Sequence, residues 1–307
     1  MNKLYVNLKG IKHSQISFFM NKTFLLLLLL ILPAIIFAQD TNQAYQIHET
    51  KTGKTITVEE LVKNLKNVDV LIFGEEHNDS IGHQAEIQIF GKMLLDYPGT
   101  ALSMEMFSTD VQPVMSEYLL DLISEKNFIK EARAWNNYPD YKQLINLAKL
   151  NKTDIIAANA ATRYSNAVSM GGLQKLNEFP AASKAFLPPL PIDTATGRYH
   201  EKFMETLGGH DMGSMKIYQT QNLWDATMAW SISKYNALYP KKKIFHLNGR
   251  FHSDERIGIV TQLKRYAPKL KIANISCFST ATLDDQDKKK QAELGDYTII
   301  TTTPAAN

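Results

Sequence analysis

Six short runs of apolar, β-branched and aromatic residues set the strongest limit on how this chain can fold. They are VDVLIF (68–73), TALSMEMF (100–107), TDIIAA (153–158), KIFHLN (243–248), KLKIANISCF (269–278) and YTIITT (297–302). Each is nearly continuous in apolar residues rather than alternating, as expected of strands buried on both faces. Helical patterns separate them. Residues 82–97 place Ile87, Phe90 and Leu94 on one face, residues 141–151 do the same with Leu144, Leu147, Ala148 and Leu150, and a third pattern over 253–267 follows the fourth run. Such alternation predicts an α/β fold, a three-layer sandwich around a mainly parallel sheet. Ahead of the first run, residues 45–67 read as a hairpin turning at Gly53-Lys54, then a helix capped by Thr57. Residues 160–240 break the alternation. They hold no strand run and are rich in methionine and aromatics, which predicts a helical insertion between the third and fourth strands.

The first 38 residues read differently. From Met20, a lysine, a leucine-rich run interrupted by Pro33 and a small residue at Ala38 describe a secretory signal peptide, too short for a comfortable membrane span. Residues 1–19 then form an upstream extension, with Met20 a candidate start, and 39–307 form one α/β domain. No cysteine adjoins the expected cut, so a lipid-anchored N-terminus is not predicted, and the expected location is the periplasm or cell envelope. Residues 1–38 carry four lysines (3, 9, 12 and 22) and no acid, so the formal charge of +3 falls to −1 without them. A balance near zero argues against a nucleic-acid partner. The only cysteine, Cys277, lies in an apolar run, which excludes an internal disulfide and predicts a buried thiol.

The polar residues that interrupt these strands fall at their carboxyl ends, where open parallel sheets bind ligands. The first run ends in Gly74-Glu75-Glu76-His77, the second holds Glu105 between Met104 and Met106, the third leads to Asn159 and Arg163, and the fourth to His246, Asn248, Gly249, Arg250 and His252. Buried carboxylates need partners, which selects Glu105. Gly74 implies close backbone approach beside Glu75 and His77. His252 occupies the equivalent place after the fourth strand. His246, within its strand, reads as a core histidine; His83 reads equally as a site residue or a helper of the next helix, and Glu76 as solvated. Glu75, His77, Glu105 and His252 are thus the candidate site. As imidazoles and carboxylates they would hold a divalent metal or act as acid and base without one, and their spacing does not choose. The helical zinc-protease pattern, the serine-hydrolase elbow and a dinucleotide fingerprint are absent.

Several motifs in order resemble one family. FGEEHNDSIGHQAE carries a Gly-Glu-x-His followed by a second histidine, and LSMEMFSTDVQ a Glu-Met-Phe followed by Gln112. AWNNYPDYKQ with AANAATRY, QNLWDATMAWSI and HLNGRFHSDERIGIV complete the set. Over residues 45–302 the chain resembles the ChaN-type haem-binding uptake proteins of the Tiki superfamily. That resemblance implies a helical subdomain over the carboxyl ends of the strands, export, iron-linked regulation, service to an outer-membrane haem uptake system, and haem enclosed by a homodimer. Superfamily relatives include metal-dependent proteases and erythromycin-esterase-like hydrolases. Through them Glu75, His77, Glu105 and His252 carry over as a shared polar site, catalytic or metal-binding, with Arg163 and Asp225 as further candidates; a metal-dependent hydrolase is the alternative function. Haem iron takes an axial Tyr, His or Met. Tyr199, His210 and Tyr218 are the expected donors, with His200 beside them in the insertion.

Overall fold

The computed structural model describes residues 44–208, 216–279 and 291–302. The expected signal segment and His210 lie outside the described residues. Eight strands form one sheet in the order β2-β1-β8-β7-β3-β6-β4-β5. They are β1 (Tyr45–Glu49), β2 (Lys54–Ile56), β3 (Val70–Glu75), β4 (Ala101–Ser108), β5 (Ile155–Asn159), β6 (Ile244–Gly249), β7 (Ile272–Ser279) and β8 (Tyr297–Thr301). The run from β8 to β5 is parallel throughout, and β1 joins it antiparallel, carrying β2 as its hairpin partner. All six apolar runs are strands of this mostly parallel sheet, so the α/β sandwich expected from their pattern is the fold.

Alternate residues of each strand feed two cores. Leu71, Phe73, Leu102, Met104, Phe245 and Leu247 face one helical layer. That layer is built from α1 (Val58–Asn64), α2 (Ser80–Asp96), α3 (Gln112–Leu119), α4 (Glu125–Glu131) and α5 (Tyr138–Leu150). Val70, Ile72, Ala101, Ile156 and Ile244 face the opposite layer, meeting Met228, Ala229, Ile232, Ile259 and Leu263. Covering both faces explains why the six apolar runs show no polar alternation, unlike β1, where buried Tyr45 and Ile47 flank an exposed Gln46.

Between β5 and β6 lie α6 (Thr162–Gly171), α7 (Ala181–Lys184), α8 (Arg198–Thr206) and α9 (Ile217–Leu238), and after β6 comes α10 (Ile259–Tyr266). The insertion has its own small core of Ala160, Ala161, Tyr164, Val168, Leu176, Leu187, Ile192, Leu223 and Ala226. The later turns of α9 belong to the sandwich, while its first turns reach the strand ends. Local chemistry sets the boundaries as read: Thr57 and Glu60 form a reciprocal cap on α1, and the Asp79 carboxylate caps α2 by accepting from Ile81 N–H.

β5 is an edge strand, and its free backbone needs partners. Gln112 supplies them. Its amide donates to Ile155 O at 2.8 Å and accepts from Ala157 N–H at 2.8 Å. Gln112→Ala strips both partners from a largely buried strand edge, so it should lower unfolding stability by about 1–3 kcal/mol, read as a lower denaturant midpoint with unchanged m-value.

Candidate functional site

Three neighbouring strands, β3, β6 and β4, end together, and Glu75 is in register with Gly249. Two buried polar clusters flank that glycine. The first centres on Glu75, whose carboxylate is 2% exposed. Its Oε1 accepts from Tyr141 OH at 2.6 Å and lies 2.6 Å from His77 Nδ1. Its Oε2 faces His83 Nδ1 at 3.4 Å. His77 is held at its backbone too, because its carbonyl accepts from Asn137 Nδ2 at 3.2 Å and lies 3.3 Å from His83 Nε2. Trp135 stands edge-on to the His77 ring at 5.2 Å between centroids. Glu86, one helical turn beyond His83, completes the cluster with Oε2 3.2 Å from His83 Nδ1.

The second cluster lies across Gly249. Pairing between β4 and β6 ends at Met104 and Leu247, and β4 shifts register against β5 between Met104 and Ser108. The irregularity holds Glu105, whose Oε2 accepts Gly249 N–H at 2.7 Å in place of a ladder bond. Its Oε1 lies 3.4 Å from His252 Nε2. His252 Nδ1 bonds Asp225 Oδ1 at 2.7 Å, and Tyr199 OH donates to Asp225 Oδ2 at 2.5 Å. Asp225 and Tyr199 come from the insertion, so the helical segment finishes what the strands begin.

Gly249 lies between the clusters, and its lack of a side chain leaves room for the His77 ring. A Cβ there would lie 2.7 Å from His77 Nε2. Gly74 serves the same end: a Cβ on it would lie 2.9 Å from Arg250 Cα, so the turn after β6 can close over β3. Arg250 fastens that turn through Asp254 at 2.9 Å and Glu76 at 3.3 Å.

Charge follows geometry. Burial alone would lower the His252 pKa, but the charge of Glu105, then that of Asp225, and its bonds to both raise it from 6.5 to about 10. Burial would raise Glu105; the His252 charge and bond, His77 and the Gly249 N–H instead bring it down to about 2. His77 is raised, because its Glu75 bond and the Glu105 charge outweigh partial burial. Glu75 is lowered, its bonds outweighing burial. Burial, then the neighbouring Glu75 charge, pushes Glu86 far up. The outcome is a half-exposed imidazole, His77, whose Nδ1 is tied to a carboxylate and whose Nε2 lies against Gly249, in the field of the ionised Glu105–His252 pair.

The structure therefore gathers Glu75, His77, Glu105, His252 and Asp225 at one sheet edge. It does not place the first four as a single metal cage. Among the described residues, the group whose donor atoms all lie within 4.8 Å of one another is Glu75, His83 and Glu86. The difference arises because Gly249 separates the two histidine–carboxylate pairs. Asn159 and Arg163 turn elsewhere: Asn159 Oδ1 accepts from Ala160 N–H, and Arg163 pairs with Asp110 and packs on the Tyr164 ring. Glu76, expected to be solvated, pairs with Arg250 and accepts from Ser279 N–H at 3.2 Å, since β7 runs beside β3. His246 is a core histidine, bonded to Ser103 at 2.8 Å and lowered to about 3 by burial. The sequence reading missed Glu86, Tyr141 and Gln221, whose side-chain amide lies 2.9 Å from His252 Nδ1 and 3.2 Å from Tyr199 OH. His83 and Glu86, three apart on one helix, carried a visible signal; Tyr141 sat in an ordinary apolar helical face.

Among the expected haem donors, Tyr199 is buried with its hydroxyl committed to Asp225. Tyr218 is half-buried and donates to Ala195 O at 2.5 Å. His200 is exposed, its ring edge-on to Tyr218 at 4.8 Å, and Phe203 lies 5.0 Å from the same tyrosine. Phe251 extends this aromatic patch to the residue beside His252.

A family model described as haem-binding uptake, Tiki superfamily, ChaN, matches residues 61–263. The chain belongs to this family. Membership agrees with the resemblance carried by the sequence motifs, and the matched segment holds both clusters and the insertion. Among solved structures, one titled for cofacial haem binding to ChaN of Campylobacter jejuni aligns with TM-score 0.64 and 18% identity, covering 84% of this chain and 97% of that one. That similarity shows a shared fold. An erythromycin esterase, EreC, in its open conformation aligns at TM-score 0.46 and 11% identity, covering 86% of this chain and 84% of that one. No curated protein matches the chain significantly.

The His252 shift fixes a sign for pH dependence. A folded pKa raised from 6.5 to about 10 gives stability that is fully present below 6.5 and lost as pH rises through 10. The stability gap between wild type and His252→Asn, from urea denaturation, should therefore shrink steadily from pH 7 to pH 10. A gap constant with pH would contradict a charged His252.

Proposed function

We propose that this chain binds haem and serves haem or iron uptake as an exported protein. Membership of the haem-binding uptake family over 61–263 carries this reading. Haem requires a Tyr, His or Met donor to iron and apolar surfaces for the porphyrin. The patch of His200, Phe203, Tyr218 and Phe251 offers both, so these residues fit the ligand. His200 is the open donor. Tyr218 becomes one by giving up its bond to Ala195 O. Tyr199 instead positions Asp225, so it supports the neighbouring cluster rather than the iron.

ChaN of Campylobacter jejuni is titled for cofacial haem binding. We propose the same use of two copies of this chain, which would enclose haem between their His200-edged aromatic patches and pass it on within an envelope uptake system. Export rests on the signal-like sequence of residues 20–38.

Hydrolysis is a second reading, favoured by one observation. His77 is half-exposed, oriented by Glu75, and sits beside an ionised Glu105. An imidazole tied at Nδ1 and open at Nε2 is arranged to take a proton from water or a substrate hydroxyl.

Haemin titration of the chain from residue 39 onward tests the leading reading. A saturable Soret shift at micromolar protein is expected, and His200→Ala combined with Tyr218→Phe should weaken it by at least about tenfold, the loss expected when a ligating interaction worth more than 1.4 kcal/mol is removed. A spectrum that never saturates would refute haem binding. Ester or peptide hydrolysis that disappears in His77→Ala would establish the second reading instead.

A further inference from the structure

The cluster of Glu75, His83 and Glu86 has acceptors in excess of donors. All three residues are buried, at 2%, 5% and 0% exposure. His83 Nε2 lies 3.3 Å from the His77 carbonyl, an acceptor that calls for an N–H there, and Nδ1 faces the two carboxylates. Glu75 Oε2 and Glu86 Oε1 are buried with no donor to serve them, and the two carboxyls face each other, acceptor to acceptor unless a proton or a cation lies between them. One proton does not resolve this. Placed on His83 Nδ1, it serves Glu86 Oε2 and leaves both of those oxygens bare. Shared between the two carboxyls, it leaves the Nδ1 lone pair facing acceptors. Two protons would resolve it, one on His83 Nδ1 and one between the carboxyls; a divalent ion resolves it with neither.

We propose that Glu75, His83 and Glu86 hold a divalent transition-metal ion of the zinc class, at a site separate from the haem patch. The spacing suits such an ion. Ligands about 2.0–2.2 Å from zinc in a tetrahedron stand about 3.3–3.6 Å from each other. His83 Nδ1 lies 3.4 Å from Glu75 Oε2 and 3.2 Å from Glu86 Oε2. The donor set, one imidazole and two carboxylates, matches a metal of this type.

The surroundings are those of a ligand shell. A ligating histidine usually donates its other N–H to a carbonyl or carboxylate, which fixes its tautomer, and ligating carboxylates are themselves hydrogen-bonded. His83 does the first through the His77 carbonyl. Glu75 does the second, with Oε1 taken by Tyr141 OH and His77 Nδ1 while Oε2 stays bare. The ion would thus sit behind His77 and act on it through one shared carboxylate. Its role is positional: it anchors the start of α2 to the end of β3. The three residues supply three ligands, and a water would complete the tetrahedron.

The test uses the chain from residue 39 onward, stripped with EDTA and titrated with cobalt(II) chloride. The proposal expects one saturable equivalent with a visible d–d band, its displacement by zinc chloride, and a zinc-dependent rise in Tm by mass action. Glu86→Gln keeps the size of the side chain and mimics its neutral form. It should retain the wild-type circular dichroism spectrum and weaken cobalt binding at least about tenfold. His200→Ala, on the haem patch, should leave cobalt binding unchanged. Absence of both the band and the Tm shift in wild type would overturn the site, leaving a proton-bridged cluster. Equal binding by Glu86→Gln would overturn it too, by placing the ion elsewhere. Should that variant not fold, X-ray absorption of the wild-type zinc complex decides: one imidazole in an otherwise oxygen shell supports the site, and two or more imidazoles contradict it. Haemin affinity is read separately, so neither result stands in for the other.

Discussion

A carboxylate buried at the end of a central strand needs partners in every direction, and Glu75 draws its partners from across the fold. Tyr141 reaches it from α5, His77 from the loop after β3, and His83 from α2. Removing one partner from such a group costs more than the bond itself, because the charge stays behind. The demand therefore locks helix positions, loop path and imidazole orientation together. His77 owes its direction to Glu75 and its backbone position to Asn137 and His83.

Gly249 joins this arrangement to the insertion. It sits between β3 and β4 in the sheet order and yields its N–H to Glu105, while its bare Cα leaves room for the His77 ring. Beyond it, His252 is clamped between Glu105 and Asp225, and Asp225 carries Tyr199 into the same chain of bonds. Tyr199 in turn lies against Phe251 and Tyr218, so the aromatic patch rests on the polar network. A ligand pressing on that patch would meet a surface whose underside is fixed by ionised groups. This continuity explains how one sheet edge can support both a binding surface and oriented acid–base groups.

Much of the architecture was legible in the sequence because strand burial on both faces writes an unbroken apolar run. The glutamate within SMEMF could be singled out for the same reason, since an acid among core residues has to find a partner. The division of the site was not legible. Nothing in the spacing of His77 and His252 says that a glycine stands between them, because strand order is a long-range property: β6 lies between β3 and β4 although it follows both in the chain. Glu86 is not legible from strand ends, because the group it completes is half helical, with His83 and Glu86 both on α2. Tyr199 is an expected haem donor from sequence, and its actual bond to Asp225 depends on how α8 meets α9.

The central claim is that Glu75 fixes the His77 ring with Nδ1 protonated and Nε2 open. Long-range nitrogen–proton NMR of the chain labelled at histidine reports the tautomer directly. Above the pH at which His77 loses its charge, the account predicts an Nδ1–H tautomer, with that preference lost in Glu75→Gln. An Nε2–H tautomer for His77 in the wild-type protein, or one indifferent to Glu75, would contradict it.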